Sequence, residues 1–276
     1  MDNKIDNKII ALILLTAAII ISIILIISYI NSMEQKEETS DTKAPTEEYI
    51  KSKLLELPKK ADTYKVNIDA DITKTVFFAT VTANAHASGE TDNKKRRMRM
   101  DMNITIPFKG KENAKIYIIG NNSYTKQSGE WIKKELTTKE RDNFWNNQEF
   151  IKREIDLINA STIKSVSDGT ADGSDAWVVK ITPDNDTFKS YISAWMEQFM
   201  SVGFSKTQNS DYISNIEFKN VTQEYTITRN DYLIIKGYTR ADVVFSNESY
   251  GVKISTKIYD YNEPVDIILP EDAKTI

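Results

Sequence analysis

The chain has 276 residues, of which 40% are hydrophobic and 28% charged, and its formal net charge is -4. This composition is ordinary for a globular domain, and the negative charge disfavours general nucleic-acid binding, so we expect no nucleic-acid partner. The chain contains no cysteine, which excludes disulfides, thiolate nucleophiles, cysteine-bound metals and a cysteine-linked lipid.

The first predicted element is an apolar run over residues 9–30, "IIALILLTAAIIISIILIISYI". It has no charge, proline or glycine, and as a helix it would be about 33 Å long, enough for a hydrocarbon core of about 30 Å. Signal-peptide cores are shorter, at about 7–15 residues, and no good cleavage site follows, so an uncleaved anchor is favoured over a cleaved signal. We therefore predict a transmembrane anchor at residues 1–31, with the membrane as partner through residues 9–30.

The charges that flank this run predict its orientation. Lys4 and Lys8 precede it, whereas the segment after it is acidic. The positive-inside rule then favours a cytoplasmic N-terminus, which makes this a single-pass protein of the cell membrane with its C-terminal domain outside the cytoplasm. Residues 32–46 are polar and charged and predict a flexible linker, and residues 47–276 form the predicted folded domain.

The domain begins with a predicted helix in "TEEYIKSKLLELPKK". Thr46 is a suitable cap, and Ile50, Leu54 and Leu57 recur at helical spacing on one face. Pro58 is expected to end or kink this helix.

After this helix, apolar and polar side chains alternate with a period of two residues, which predicts strands. Residues 64–72 alternate apolar and polar side chains, and residues 77–87 repeat the pattern with mostly small apolar residues. The clearest strand is "RMRMDMNITI", which places Met98, Met100, Met102, Ile104 and Ile106 on one face. Its other face carries Arg97 and Arg99, so we expect a sheet with one apolar and one solvated face.

Helices are predicted in the middle of the chain. Residues 138–161 carry Ile151, Ile155 and Ile158 on one stripe. Residues 184–200 form a strongly amphipathic helix, and the following residues share its apolar face: Phe188, Ile192, Trp195, Met196 and Phe199. Strands resume near residue 212, and two runs of strands split by helices favour an α+β fold with one large antiparallel sheet.

Few residues are suited to catalysis or metal binding. The single histidine, His86, lies on an alanine-rich strand, where a structural role is far commoner. Asp168, Asp172 and Asp175 could suggest a calcium loop, but Val179 stands where an EF-hand needs glutamate, so a hairpin turn is favoured. The basic run at residues 94–99 is interpreted as a solvated turn, with contact to lipid headgroups as the alternative. We predict no enzyme activity, no catalytic residues, no metal and no cofactor.

Four segments together resemble the LolA/LolB-like lipoprotein carriers, and especially the lipid-binding lipoproteins of the LppX and LprG type. They are the opening helix with "TYKVNIDADI", the hairpin "IYIIGNNSYTKQSGEWIKKEL", the strand "DAWVVKITPD" and the ending "YDYNEPVDIILPEDA". The resemblance implies a LolA-like open antiparallel β half-barrel whose apolar face is covered by amphipathic helices and holds acyl chains. The chain departs from the family pattern because a predicted transmembrane helix precedes this domain.

The resemblance and the residue pattern together predict a membrane-anchored domain outside the cytoplasm that binds a lipid or an acylated protein in an apolar cavity. The predicted lining residues are Phe77, Val81, Met98, Met100, Met102, Ile104, Phe188, Ile192, Trp195, Met196 and Phe199. The alternative is a structural or protein-interaction module of the cell envelope, built on the same fold with a filled core.

Overall fold

The computed structural model describes residues 45–56, 62–76, 79–127, 129–145, 157, 160–171, 173–201 and 216–276. The predicted anchor lies outside the described residues, as do Ile151, Ile155 and Ile158. Within the described ranges, no helix has both the length and the apolar character needed to cross a bilayer.

Eleven strands of the described chain form one antiparallel sheet. They are β1 (Thr63–Val76), β2 (Ala79–Asp92), β3 (Arg97–Ile106), β4 (Gly110–Ile119), β5 (Asn122–Gln127), β6 (Glu130–Glu135), β7 (Thr162–Ala171), β8 (Ser174–Thr182), β9 (Ile216–Thr228), β10 (Ile234–Phe245) and β11 (Glu248–Tyr259). Their order in the sheet is β6-β5-β4-β3-β2-β1-β11-β10-β9-β8-β7. The chain thus builds one half outward from β1, moves to the far edge at β7, and returns until β11 pairs with β1. This confirms the prediction of one large antiparallel sheet, which is open at β6 and β7.

The predicted alternation of side chains produces two unlike faces. We call inner the face that carries Tyr64, Val66 and Ile68, all of which are fully buried. In β3 the methionines and Ile106 are buried on this face, whereas Arg97 is exposed on the other, outer face. The pairing of β3 with each of its neighbours shows no register shift, so the side-chain period of two persists along the whole strand.

Four helices accompany the sheet in the described ranges: α1 (Glu47–Glu56), α2 (Thr138–Trp145), α3 (Asn185–Ser201) and α4 (Glu271–Lys274). The predicted cap of α1 is confirmed, because the Tyr49 backbone N–H donates to Thr46 Oγ1 at 3.2 Å. Ile50 of α1 is fully buried. The Thr187 backbone N–H donates to Asp184 Oδ1 at 2.9 Å and satisfies one free donor at the start of α3.

The C-terminal segment, residues 260–276, is fastened to the outer face of β5 and β6. Lys126 forms an ion pair with Asp272 at 2.6 Å and also lies over the ring of Trp131. Trp131 packs against Tyr117 with ring centroids 5.9 Å apart. Tyr117 and Trp131 therefore form an aromatic contact surface for the C-terminal helix on the outer face, on the side of the sheet opposite the methionines.

Candidate ligand-binding face

Three methionines form the centre of the inner face in one half of the sheet. Met98 and Met100 are fully buried and Met102 is 3% exposed. Across the strands, Met100 pairs with Gly89 and Ile116, and Met102 pairs with Ala87 and Ala114. Three of these four neighbours are glycine or alanine, so long, flexible side chains lie beside very small ones, an arrangement that can adapt to different shapes.

Gly89 shows how closely the methionines pack against β2. A Cβ added at this glycine would lie 3.1 Å from the carbonyl oxygen of Arg99, 3.3 Å from Val66 Cγ1 and 3.6 Å from Met100 Cε. The tight contacts would be with the Arg99 carbonyl and Val66, and the Met100 ε-methyl group lies at ordinary contact distance beside them. This end of the inner face is fully packed.

Burial is incomplete farther along β2, β3 and β4, although Ile106 at the end of β3 is buried. Val81, Ala83, Ala85, Ile104 and Ala114 all lie on the inner face, yet each is only partly buried. We call these five residues the apolar strip. Ala83, Ala85 and Ala114 also pack against the buried core, so the strip is continuous with it. An apolar surface therefore extends from the closed core toward solvent.

Helix α3 packs on β9, in the opposite half of the sheet. Phe188 and Ile192 are each 1% exposed, and the Phe188 ring meets the ring of Phe218 edge-on at 5.1 Å between centroids. Asn185 holds the start of the helix on β9, since its Oδ1 accepts the Phe218 backbone N–H at 3.0 Å. The first turns of α3 thus pack on β9, while the apolar strip lies on β2, β3 and β4.

A charged cluster borders the apolar strip on the inner face. Lys74 pairs across strands with Val81, and its ammonium group meets Glu248 at 2.9 Å. The Tyr250 hydroxyl donates to Glu248 at 2.6 Å, and burial together with this hydrogen bond raises the pKa of Tyr250 well above its usual value. The end of the strip therefore offers both a cation and a carboxylate to a polar group.

The structure brings together part of the predicted lining. Met98, Met100, Met102, Phe188 and Ile192 are buried on or against the inner face, while Val81 and Ile104 are partly exposed in the apolar strip. Phe77 lies outside the described residues, as do the side chains of Trp195, Met196 and Phe199 on the second half of α3. The lining of a cavity by this set remains a prediction.

Sequence reasoning did not identify the buried polar side chains of the inner face, three of which lie together on β9, β10 and β11. Gln223, Thr239 and Thr256 are 5%, 6% and 3% exposed and lie among apolar neighbours on β9, β10 and β11. A signal was present in "GVKISTKIY", where Thr256 interrupts the alternation of Val252, Ile254 and Ile258. One threonine in an apolar register is too common a substitution to indicate a site by itself.

The residues considered for catalysis or metal binding lie elsewhere. His86 is exposed on the outer face, where Nδ1 is 2.8 Å from Asp69 Oδ1. Asp168 and Asp175 belong to the β7–β8 hairpin, in which Ala171 pairs with Ser174, so the favoured interpretation as a hairpin is confirmed. Among the residues that the structure describes, no group of acidic or histidine side chains is arranged to hold a metal ion.

The basic run at residues 94–99 is engaged in ion pairs at its turn and strand. Lys94 pairs with Asp62, Lys95 with Asp92 at 3.3 Å, and Arg99 with Asp101 at 2.5 Å. The favoured interpretation as a solvated turn agrees with these contacts.

Comparison with protein families assigns the folded domain to one of them. A family model described as "Family of unknown function (DUF6612)" matches residues 46–275. No match was found among curated proteins.

Several solved structures align over most of the chain. LprF from Mycobacterium bovis aligns at 11% identity and a TM-score of 0.43, covering 83% of this chain and 99% of LprF. A LolA superfamily protein from Nitrosomonas europaea aligns at 12% identity and a TM-score of 0.27, covering 83% and 99%. A β-barrel-like protein with a domain of unknown function, DUF1849, from Brucella abortus aligns at 7% identity and a TM-score of 0.27, covering 72% and 100%.

Proposed function

The chain belongs to DUF6612, a family of unknown function, and we propose that its folded domain binds a lipid or a lipid-modified protein along the inner face of the sheet. The apolar strip is the observation that carries this proposal. It continues a packed core but is itself incompletely covered, which is the condition for an apolar chain to enter without unfolding the domain.

The geometry suits an amphiphile that lies with its chain on the strip. The small side chains of Ala83, Ala85 and Ala114 leave width above the sheet, and the neighbouring methionines can change rotamer to follow the chain. Lys74 and Glu248 at the border of the strip provide partners for a polar end. A large concave apolar surface with a few polar groups is the usual form of a small-molecule site.

Energetics favour holding a lipid over transforming it. Burying a methylene group contributes about 0.8 kcal/mol, so a chain of about sixteen carbons contributes about 12 kcal/mol before the cost of leaving the bilayer. Because the bilayer offers nearly the same apolar environment, transfer from membrane to protein is close to neutral. No bond has to form or break, so the proposed function is that of a carrier or holder.

The proposal includes the location of the domain. Residues 9–30 would anchor the chain in the cell membrane by a single pass, with the domain outside the cytoplasm. A flexible linker of the length of residues 32–46 has a typical span of about 20 Å. The domain would therefore stay next to its own membrane and exchange cargo with that membrane or with a partner docked there.

Photo-crosslinking of the full-length protein in phosphatidylcholine vesicles tests this function. A palmitoyl probe with a diazirine on its chain should crosslink saturably to peptides of β2, β3 and β4. Ala85→Trp, which fills the apolar strip, should lower this labelling about tenfold. Asn84→Trp is the matched control, because Asn84 is exposed on the outer face of the same strand and its replacement should leave labelling unchanged.

Two outcomes would contradict the proposal. One is labelling restricted to residues 9–30, which would mean that the probe meets the chain only inside the bilayer. The other is equal labelling of wild type and Ala85→Trp. Either result would favour the alternative, an envelope module whose core is filled by its own side chains.

A further inference from the structure

The inner face contains an uncharged polar recess, formed by Gln223, Thr239, Thr256 and Gly237. Resting on the lipid-binding function proposed above, we infer that this recess binds a neutral hydrogen-bonding group of the ligand, an ester or a hydroxyl. The recess would then favour those apolar ligands that carry such a neutral polar group.

Strand register places these residues side by side. Gln223 pairs with Thr239 between β9 and β10. Gly237, two residues before Thr239, pairs with Thr256 on β11 and with Tyr225 on β9. All four residues of the recess therefore lie on the inner face, in two adjacent rows that run across three strands.

Gly237 forms the floor of the recess. A Cβ built on it would find nothing closer than Thr256 Cβ at 3.8 Å and Tyr225 Cδ1 at 4.0 Å. This is ordinary contact distance, so the position has room for at least one more atom, unlike Gly89 in the other half of the sheet. The glycine leaves a gap between a threonine and a tyrosine where a ligand atom can approach the backbone.

Two polar atoms of the recess are buried without partners. Gln223 Oε1 and Thr256 Oγ1 are each inaccessible to solvent and make no hydrogen bond within the part of the chain that the structure describes. A buried polar atom without a partner is destabilising, and natural proteins retain few of them. Two such atoms in neighbouring rows, next to the space at Gly237, are placed to take a hydrogen-bond partner from a bound molecule.

The surroundings determine which chemistry fits. The row of Gln223 contains Ile181, Ile254 and Ala70, and the row of Thr256 contains Val179, Ile68 and Ala87. None of these side chains is charged, so a carboxylate or phosphate would be buried there without a counter-ion at high cost. The Thr256 hydroxyl can donate to an ester carbonyl, and Gln223 Oε1 can accept from a ligand hydroxyl, so neutral groups of both kinds suit the recess.

The recess and the apolar strip share a row of the sheet. The row of Gln223 and Thr239 continues through Ile254 and Ala70 to Ala85 and Ile104 of the strip. Three strand spacings separate Thr239 from Ala85, about 14 Å across the sheet. One amphiphile could therefore place a neutral polar group at the recess and extend its chain along the row toward the strip.

Competition in the same crosslinking assay tests this inference. Full-length protein in phosphatidylcholine vesicles is labelled with the diazirine palmitoyl probe while unlabelled monoolein, 1-octadecene or oleate competes. These three competitors have chains of similar length but carry a glycerol ester, no polar group and a carboxylate. Monoolein should compete about tenfold better than 1-octadecene, and oleate, whose carboxylate suits Lys74 and not the uncharged recess, should compete less well than monoolein.

Variants assign the selectivity to the recess. Thr256→Val and Gln223→Leu keep the side-chain volume but remove the unpartnered oxygens, and each should reduce the advantage of monoolein severalfold without weakening 1-octadecene. Thr222→Val is the control, because Thr222 is exposed on the outer face of β9, next to Gln223. The advantage of monoolein should be the same in this variant as in the wild type.

The two proposals fail differently. Competition by 1-octadecene with no preference for monoolein would overturn the recess and leave lipid binding intact. Full preference for monoolein in both recess variants would also overturn the recess. Buried water would then be the hydrogen-bond partner of the two polar atoms. Absence of any saturable labelling would overturn lipid binding, and the recess with it.

Discussion

Replacing Met100 with alanine tests whether the methionine strand forms the packed half of the inner face. Met100 is fully buried between Gly89 and Ile116. The substitution removes three side-chain atoms, Cγ, Sδ and Cε, worth about 2.4 kcal/mol at about 0.8 kcal/mol for each methylene-sized group. The cavity left behind adds to this loss because Gly89 has no side chain that could move into it. We therefore expect the free energy of unfolding to fall by about 3–4 kcal/mol.

Pulse proteolysis in urea measures this change on the full-length protein in vesicles, because it reads the folded fraction of the domain without requiring optical clarity. Met100→Leu is the matched control, since a hydrophobic side chain of similar volume should cost less than about 1.5 kcal/mol. A loss below about 1 kcal/mol for Met100→Ala would refute the reasoning, because it would mean that Met100 contributes little packing on the inner face.

Ligand rescue connects this variant to function. If the new cavity joins the apolar strip, an alkyl ligand should fill part of it and restore stability, by up to about 2.7 kcal/mol at a hundred times its dissociation constant. Equal stabilisation of wild type and Met100→Ala by 1-octadecene would show that the ligand does not reach the cavity.

Two further predictions concern the cap at the start of α3 and the C-terminal segment. Hydrogen bonds from Thr187 lower the pKa of Asp184 at the start of α3, so the cap is intact above the unfolded-state pKa and is lost as pH falls through the lower folded-state value. The protection of the first turn of α3 against hydrogen exchange, relative to the intrinsic rate at each pH, should begin to decrease below about pH 4. Asp184→Asn should remove this pH dependence while it keeps a cap, and an unchanged profile would contradict the assignment. Trp131→Ala should release the C-terminal segment and accelerate its proteolysis, whereas Ile132→Ala, at an exposed neighbour, should not.

The alternation in β1 and β3 was sufficient to predict the sheet and its two faces. A strand buried on one side must repeat every two residues, and any slip of register would expose Met98, Met100 and Met102 to water. The cap at Thr46 and the amphipathic spacing of Phe188 and Ile192 were equally local, because they depend on residues within one or two turns of helix. For the same reason the β7–β8 hairpin could be recognised from its turn residues.

The position of the candidate site needed long-range pairing that no local pattern contains. Gln223, Thr239 and Thr256 come from three strands, and only the order β9-β10-β11-β1-β2 places them in rows that lead to Ala85. The role of Trp131 was hidden in the same way, since its C-terminal neighbour Asp272 lies far along the sequence. The sequence by itself determined which face of each element is apolar, because that follows from the period of the element. Only the tertiary structure decided where burial stops and where polar atoms lack partners, because both depend on which strands become neighbours.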